Sequence, residues 1–161
     1  MKTLKALVFD VDGVLTDGGV WWGPGGEEWK RFSFMDIMGV SLAIKSGLVV
    51  GLISGEDSPL VDRFAVKMGI TDVDKGCKDK ARALRAFAER RGLALADIAF
   101  MGDDVNDLGA MEIAGLSATT ANAILAVREK AAFVSERAGG QGAVRDLVDA
   151  VLRVRPVERA H

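Results

Sequence analysis

The stretch LVFDVDGVLTDGG, Leu7–Gly19, carries an apolar run into three aspartates within eight positions, among glycines. Two later apolar runs also end in residues that can do chemistry. LVVGLI is followed by Ser54 and Gly55, and IAFMG by Asp103, Asp104 and Asp107, while Lys80 opens a helical pattern between them. If these runs are neighbouring parallel strands, their carboxyl ends gather the polar residues along one sheet edge, where open α/β sheets bind ligands. Four or five carboxylates in one cleft repel each other, and at about 4 Å each like pair costs on the order of 4 kcal/mol at an effective dielectric of 20. A cation has to sit among them. Mg²⁺ is the natural candidate, being hard, oxygen-ligated and content to keep waters and a substrate phosphate in its octahedron.

The spacing of Asp10 and Asp12 suggests a division of labour. A carboxylate on the metal at Asp10 can point at phosphorus, while Asp12 lies within reach of a leaving-group oxygen: a nucleophile and a general acid/base. Gly13 lets the chain turn sharply and bring backbone N–H groups toward phosphate oxygens. Ser54 offers a hydroxyl donor at the next strand end. Lys80 would neutralise a phosphate oxygen and the nucleophile together, which lets a dianion approach a carboxylate.

These residues need a scaffold, and the rest of the chain supplies one. Apolar β-rich runs (KALVFD, LVVGLIS, DIAFMGDD, LSATT, AFVS) alternate with helical patterns, the signature of a parallel sheet covered on both faces. The helices are expected in DIMGVSLAIKSG, SPLVDRFAVKMG, KDKARALRAFAERRG, VNDLGAMEIAG, NAILAVREKA and the segment after GGQG. Ser-Pro suits an N-terminus, and closing glycines suit C-caps. The arginines and lysines of KDKARALRAFAERRG read as a solvated face, and TDVDKG reads as a short link. In GGVWWGPGGEEWKRFSF, two aromatic-rich segments flank Gly-Pro-Gly-Gly, so a β-hairpin is expected to project from the domain over about residues 18–34. The fold class is therefore α/β, a Rossmann-like parallel sheet with helices on both faces, as a single domain over 1–161.

Composition narrows the partners. With 161 residues and 49% apolar content the chain can bury a real core. A net charge of −2 offers no broad basic surface for a nucleic-acid backbone. The N-terminal apolar run is too short for a signal peptide, and no run of about 20 apolar residues occurs, so no membrane association and a cytoplasmic location are expected. Cys77, the single cysteine, fits a reducing compartment and reads as an ordinary small side chain. His161 is the single histidine and the last residue, so no catalytic imidazole is expected. GGQGAVR could grip a phosphate, but no Walker lysine follows it.

The ordered set DVDGVLTDGG, LISGE, KDK and GDDVNDLGAM resembles the four motifs of the haloacid dehalogenase superfamily of phosphohydrolases, over nearly the whole chain. The hairpin and the GGQGAVRDL tail are similar to its small cap-less subfamily, whose members dephosphorylate eight-carbon 2-keto-3-deoxy sugar acid 8-phosphates or nine-carbon 9-phosphates of the sialic type. The resemblance implies that Asp10 forms an aspartyl-phosphate and that Asp12 is the acid/base. Mg²⁺ would be held by the Asp10 carboxylate, the Asp12 backbone carbonyl and Asp103. Ser54, Gly55 and Lys80 would take the phosphoryl group, with Asp104 and Asp107 positioning Lys80 and metal-bound water. Asp36, Glu56, Lys67 and Asn106 would contact the rest of the sugar acid phosphate.

The same resemblance implies a homotetramer assembled through the hairpins, with neighbours helping to close each site. Trp21, Trp22 and Trp29 permit this independently, because on a thin hairpin they leave apolar area exposed unless they pack down on the parent domain. Glu56 stands where many eight-carbon enzymes carry arginine. It and Lys67 look like the nine-carbon branch, although Glu56 also reads as an acid placed favourably at a helix N-terminus. Where the family often has arginine before Ala65, this chain has Phe64, with Arg63 beside it. Arg145, just after the glycine-rich loop, could reach a sugar-acid carboxylate in its own or a neighbouring site.

Two other classes fit parts of the pattern. A receiver-type signalling module also combines an aspartate cluster, Mg²⁺ and a lysine, but its acidic pair follows the first strand and its phosphoacceptor a middle one. The order here is the reverse. A catalytically idle interaction domain of a nucleotide-sugar enzyme would be expected to have lost Asp10, Asp12, Lys80 or Asp103, and all are present.

Overall fold

The computed structural model of the chain describes residues 3–154, so His161 lies outside the described residues. Among them, six strands form one sheet in the order β5-β4-β1-β6-β7-β8, with every pairing parallel. The strands are β1 (Ala6–Phe9), β4 (Val49–Ile53), β5 (Asp72–Asp74), β6 (Ile98–Gly102), β7 (Leu116–Thr119) and β8 (Phe133–Val134). A separate antiparallel pair, β2 (Trp21–Trp22) and β3 (Glu28–Trp29), forms the projecting hairpin. This is the expected doubly wound architecture.

Side-chain alternation along β1 shows why the sheet is covered twice. Leu7 and Phe9 enter one core with Val40 of α1 (Phe34–Lys45), Val61 and Phe64 of α2 (Pro59–Met68), and Leu147 of α6 (Ala143–Val154). Ala6 and Val8 enter the other with Leu84 and Phe87 of α3 (Lys80–Arg91), Met111 of α4 (Leu108–Ile113), and Val127 of α5 (Leu125–Lys130). Each fully buried side chain of this size contributes about 1.5–3 kcal/mol of transfer free energy, so a strand buried on both faces has to be apolar throughout. Side-chain oxygens start the helices: Ser33, Ser58 and Asp79 accept from the N–H groups of Met35, Leu60 and Arg82. Among the described residues no helix is long and apolar enough to cross a membrane.

The path of the chain fixes the site. It runs outward from β1 to β4 and β5, crosses back through α3, and continues outward on the other side through β6, β7 and β8. The direction of winding therefore reverses between β1 and β6, which places the binding crevice beyond their carboxyl ends. Phe9 lies in register with Leu52 on one side and Met101 on the other. Asp10, Ser54 and Asp103 consequently leave the sheet at about one level.

Three local expectations need correction. TDVDKG is not simply a link: it contains the edge strand β5, with Gly51, Leu52 and Ile53 opposite Asp72, Val73 and Asp74. Three residues, two of them acidic, carry no readable alternation. The strand is held instead by α3, whose Arg90 Nε donates to Asp72 Oδ1 at 3.0 Å while Arg91 pairs with the other carboxylate oxygen. These two arginines are thus tied to the sheet edge rather than purely solvated. Finally, VNDLGAMEIAG begins as a 3₁₀ turn (Val105–Asp107) before becoming α4, because Asp104 and Asp107 cap each other reciprocally there.

Candidate active site

The loop after β1 is shaped around its carboxylates. Val11 N–H donates to Asp10 Oδ1 at 2.8 Å, and the buried Thr16 hydroxyl accepts from the N–H groups of Gly13 and Gly18, at 3.2 Å each. Gly13 has φ +84°, and a Cβ added there would lie 1.9 Å from Asp103 Oδ2. A side chain at this position would be strained and would also displace Asp103. From the far side the loop is braced by the GGQG segment: Gly140 N–H donates to Val14 O at 3.1 Å, and a Cβ on Gly139 would fall 1.8 Å from Gly13 O. That segment is a backbone support for the aspartate loop. Its glycines allow the close approach, and it does not line the cleft.

Lys80 arrives from the start of α3 and is almost completely buried. Its Nζ lies 2.9 Å from Asp10 Oδ1 and 2.7 Å from Asp107 Oδ1. Asp107 Oδ2 accepts from the backbone N–H groups of Asp103 (2.8 Å) and Asp104 (3.2 Å). Both Asp107 oxygens are therefore committed to positioning Lys80 and the loop after β6. Asp10, Asp103 and Asp107 each offer an oxygen within 4.8 Å of the others. Three carboxylates face a single ammonium group, and the electrostatics show the excess.

Burial, reinforced by the field of Asp107, holds the Asp10 carboxyl well above the ordinary aspartate range despite Lys80. Burial and the same neighbour push Asp103 up to about 7. Burial opposes the charge on Lys80, but Asp10 and Asp107 outweigh it and its pKa is raised. An all-oxygen donor set with surplus negative charge fits a hard divalent cation. Of the three carboxylates, Asp10 and Asp103 could hold such an ion, since both Asp107 oxygens are engaged.

These groups open into a cleft of about 340 Å³. Ser54, expected on the phosphoryl group, is fully buried, just before Gly55 in sequence, and is not among the cleft-lining residues; it donates its N–H to Asp74 O at 2.8 Å and accepts from Glu56 N–H on its hydroxyl at 3.2 Å. Gly55, Glu56, Asp104 and Asn106 line the wall, with Asn106 Nδ2 3.7 Å from where a Gly55 Cβ would lie. Val20, Trp22, Glu28 and Lys30 of the hairpin also line the cleft.

Comparison with known proteins bears on this arrangement. The family of haloacid dehalogenase-like hydrolases matches residues 55–146. The 3-deoxy-D-manno-octulosonate 8-phosphate phosphatase of Escherichia coli (strain K12) is 36% identical over 151 residues, 94% of this chain and 80% of that protein. The chain belongs to the haloacid dehalogenase-like hydrolase family. Among solved members, the Moraxella catarrhalis 3-deoxy-D-manno-octulosonate 8-phosphate phosphatase, in complex with a magnesium ion, a phosphate ion and a KDO molecule, aligns with a TM-score of 0.92. It is 34% identical and covers 94% of this chain and 87% of its own. The cobalt-bound Haemophilus influenzae phosphatase aligns with a TM-score of 0.91 at 32% identity, covering 94% and 88%.

Against this family's cleft, the residues expected to meet the sugar separate into two groups. Glu56 and Asn106 line the cleft. Asp36 does not: it is 1% exposed, and its carboxylate accepts from Gly142 N–H (3.2 Å) and Arg145 N–H (3.1 Å) at the start of α6. Burial raises its pKa against those hydrogen bonds. Its place in the fold is the α1–α6 junction. Lys67 and Arg63 lie on α2 and, with Trp29, Phe32 and Phe64, line a second groove that has Lys30 in common with the cleft. Arg145 pairs with Asp149 along α6 at 3.0 Å, away from the cleft lining.

Val20, Trp22, Glu28 and Lys30 are cleft residues that the sequence did not reveal, and Lys30 is the cation among them. Its Nζ lies 2.9 and 3.1 Å from the two carboxylate oxygens of Asp12. It follows two acids and a tryptophan in EEWKRF, just beyond a strand only two residues long, so no periodicity distinguishes it from a solvated lysine.

Proposed function

We propose that the chain is a Mg²⁺-dependent 3-deoxy-D-manno-octulosonate 8-phosphate phosphatase acting through an aspartyl-phosphate. Asp10 attacks phosphorus and the bond from phosphorus to the sugar oxygen breaks, with Asp12 giving its proton to that oxygen. Water then attacks the aspartyl-phosphate, returns a proton to Asp12 and releases inorganic phosphate with free Asp10. Lys80, fixed by Asp107, offsets charge between the phosphoryl oxygens and Asp10, and Ser54 and Gly55 bind the phosphoryl group. Mg²⁺, when bound by the Asp10 and Asp103 carboxylates and the Asp12 carbonyl, supplies Lewis-acid charge neutralisation.

The observation that carries this reading is the buried contact of Lys80 with Asp10 at the switch point of the sheet. The eight-carbon substrate is supported by relatives named as octulosonate 8-phosphate phosphatases, at 36% identity over 94% of the chain. A nine-carbon 9-phosphate is the second reading, favoured by Glu56 on the cleft wall. A carboxylate there suits hydroxyl groups better than a second anion. Steady-state kinetics with both substrate classes decides between them: a hundredfold preference, about 2.7 kcal/mol of transition-state discrimination, for the nine-carbon ester would overturn the first reading.

We further propose that the protein assembles as a homotetramer through its hairpins. Trp21 and Trp22 are 72% and 77% exposed and Trp29 53%, so the hairpin tryptophans do not bury themselves on the parent domain. Paired as neighbours across β2 and β3, Trp21 and Trp29 present one apolar surface suited to a second copy.

A further inference from the structure

Lys30 is held in an unusual way for a hairpin lysine. The hairpin around it is open to solvent, yet its side chain is only 4% exposed, compared with 29% for the Asp12 side chain it touches. The ammonium group spans both carboxylate oxygens of Asp12. Among the described residues nothing else bonds that carboxylate. Lys30 is in turn fixed from outside. Glu28 Oε2 lies 3.9 Å from its Nζ and accepts from the Ser58 hydroxyl at 3.1 Å, and Glu28 Oε1 accepts from Trp22 Nε1 at 3.1 Å. One residue further on, Arg31 Nη1 donates to Gly140 O at 3.3 Å, in the segment that braces the aspartate loop. The base of the hairpin is thereby clamped at both the α2 cap and the glycine-rich segment that braces the loop after β1.

From this geometry we infer that Lys30 is a positioning residue for Asp12, and that the hairpin serves catalysis within its own chain by fixing the direction of the acid/base carboxylate. A carboxylate at a chain turn with no other partner samples several rotamers, whereas proton transfer requires it within hydrogen-bond reach of the leaving oxygen. The two-point contact from a buried ammonium group selects one. The inference rests on the proposed role of Asp12 as acid/base.

The test is a leaving-group comparison on the full-length protein with Mg²⁺. An alkyl phosphate, such as the sugar acid ester, needs a proton on its leaving oxygen, while p-nitrophenyl phosphate does not. In single-turnover measurements of the first step, Lys30→Met is expected to slow the alkyl ester at least about tenfold, within the range general acid catalysis contributes. It should slow p-nitrophenyl phosphate little, leave KM nearly unchanged for both, and be largely rescued by Lys30→Arg. Equal slowing of both esters, or none, overturns the inference while the proposed function stands. A rise in KM with unchanged kcat also overturns it, by making Lys30 a substrate contact. An inactive wild-type protein would instead sink the proposed function, and the role of Asp12 with it. Thermal melting of each variant separates these results from misfolding.

Discussion

Asp107 reaches Lys80 Nζ at 2.7 Å with one carboxylate oxygen and the N–H groups of Asp103 and Asp104 with the other, without exposing any of its surface. A single side chain thus fixes the cation that faces Asp10 and the loop that carries Asp103. Asp107→Ala is expected to destabilise the fold by about 3 kcal/mol, since it leaves a buried ammonium group and two N–H groups short of partners. Urea denaturation measures this, and a loss below about 1 kcal/mol would show that Lys80 and the loop hold themselves.

Asp10→Asn should behave differently. It removes the nucleophile, and turnover is expected to fall on the order of 10⁴-fold or more. It also removes charge from a crowded cluster, so the melting temperature should hold or rise. Retained activity would dismiss the covalent route.

Gly13→Ala probes how closely the two aspartate loops meet. With φ at +84° and the new methyl 1.9 Å from Asp103 Oδ2, the substitution should cost about 1–3 kcal/mol and push Asp103 out of the cluster. Calorimetric titration should then show weakened Mg²⁺ binding. Unchanged affinity would mean that Asp103 is not needed to hold the ion.

The raised carboxyls of Asp10 and Asp103 give a pH signature. In the metal-free protein both groups bind protons more tightly folded than unfolded. Their contribution to stability is complete below the ordinary carboxylate range and is lost as pH rises through the folded values, about 7 for Asp103. Mg²⁺ binds the ionised forms and releases protons. The melting-temperature gain on adding Mg²⁺ is therefore expected to be larger at about pH 8 than at about pH 6. An equal or smaller gain at the higher pH would contradict this.

Assembly through the hairpin predicts that Trp21→Glu with Trp29→Glu yields smaller particles in light scattering, with an unchanged far-ultraviolet spectrum. Charges on both strands of the exposed surface would repel their counterparts in a neighbouring copy. A wild-type protein that is already monomeric would end this proposal.

The doubly wound sheet, and the gathering of Asp10, Asp12, Lys80 and Asp103 around one cleft, were legible in the chain's pattern of apolar runs and polar ends. Strands buried on both faces must be apolar along their length, and polar residues that end such runs must emerge at one edge. Features that rest on short elements or on contacts distant in sequence became visible through packing alone. The edge strand at Asp72–Asp74 is too brief for periodicity and depends on the Arg90 and Arg91 pairings from α3. Asp36 became the partner of the α6 N-terminus because packing of α1 on α6 buries it there, 106 and 109 residues away in sequence from the N–H groups it accepts. The pairing of Lys30 with Asp12 spans 18 residues and depends on how the hairpin folds back over the cleft. A lysine just beyond a two-residue strand looks the same in sequence whether it ends in solvent or on a carboxylate.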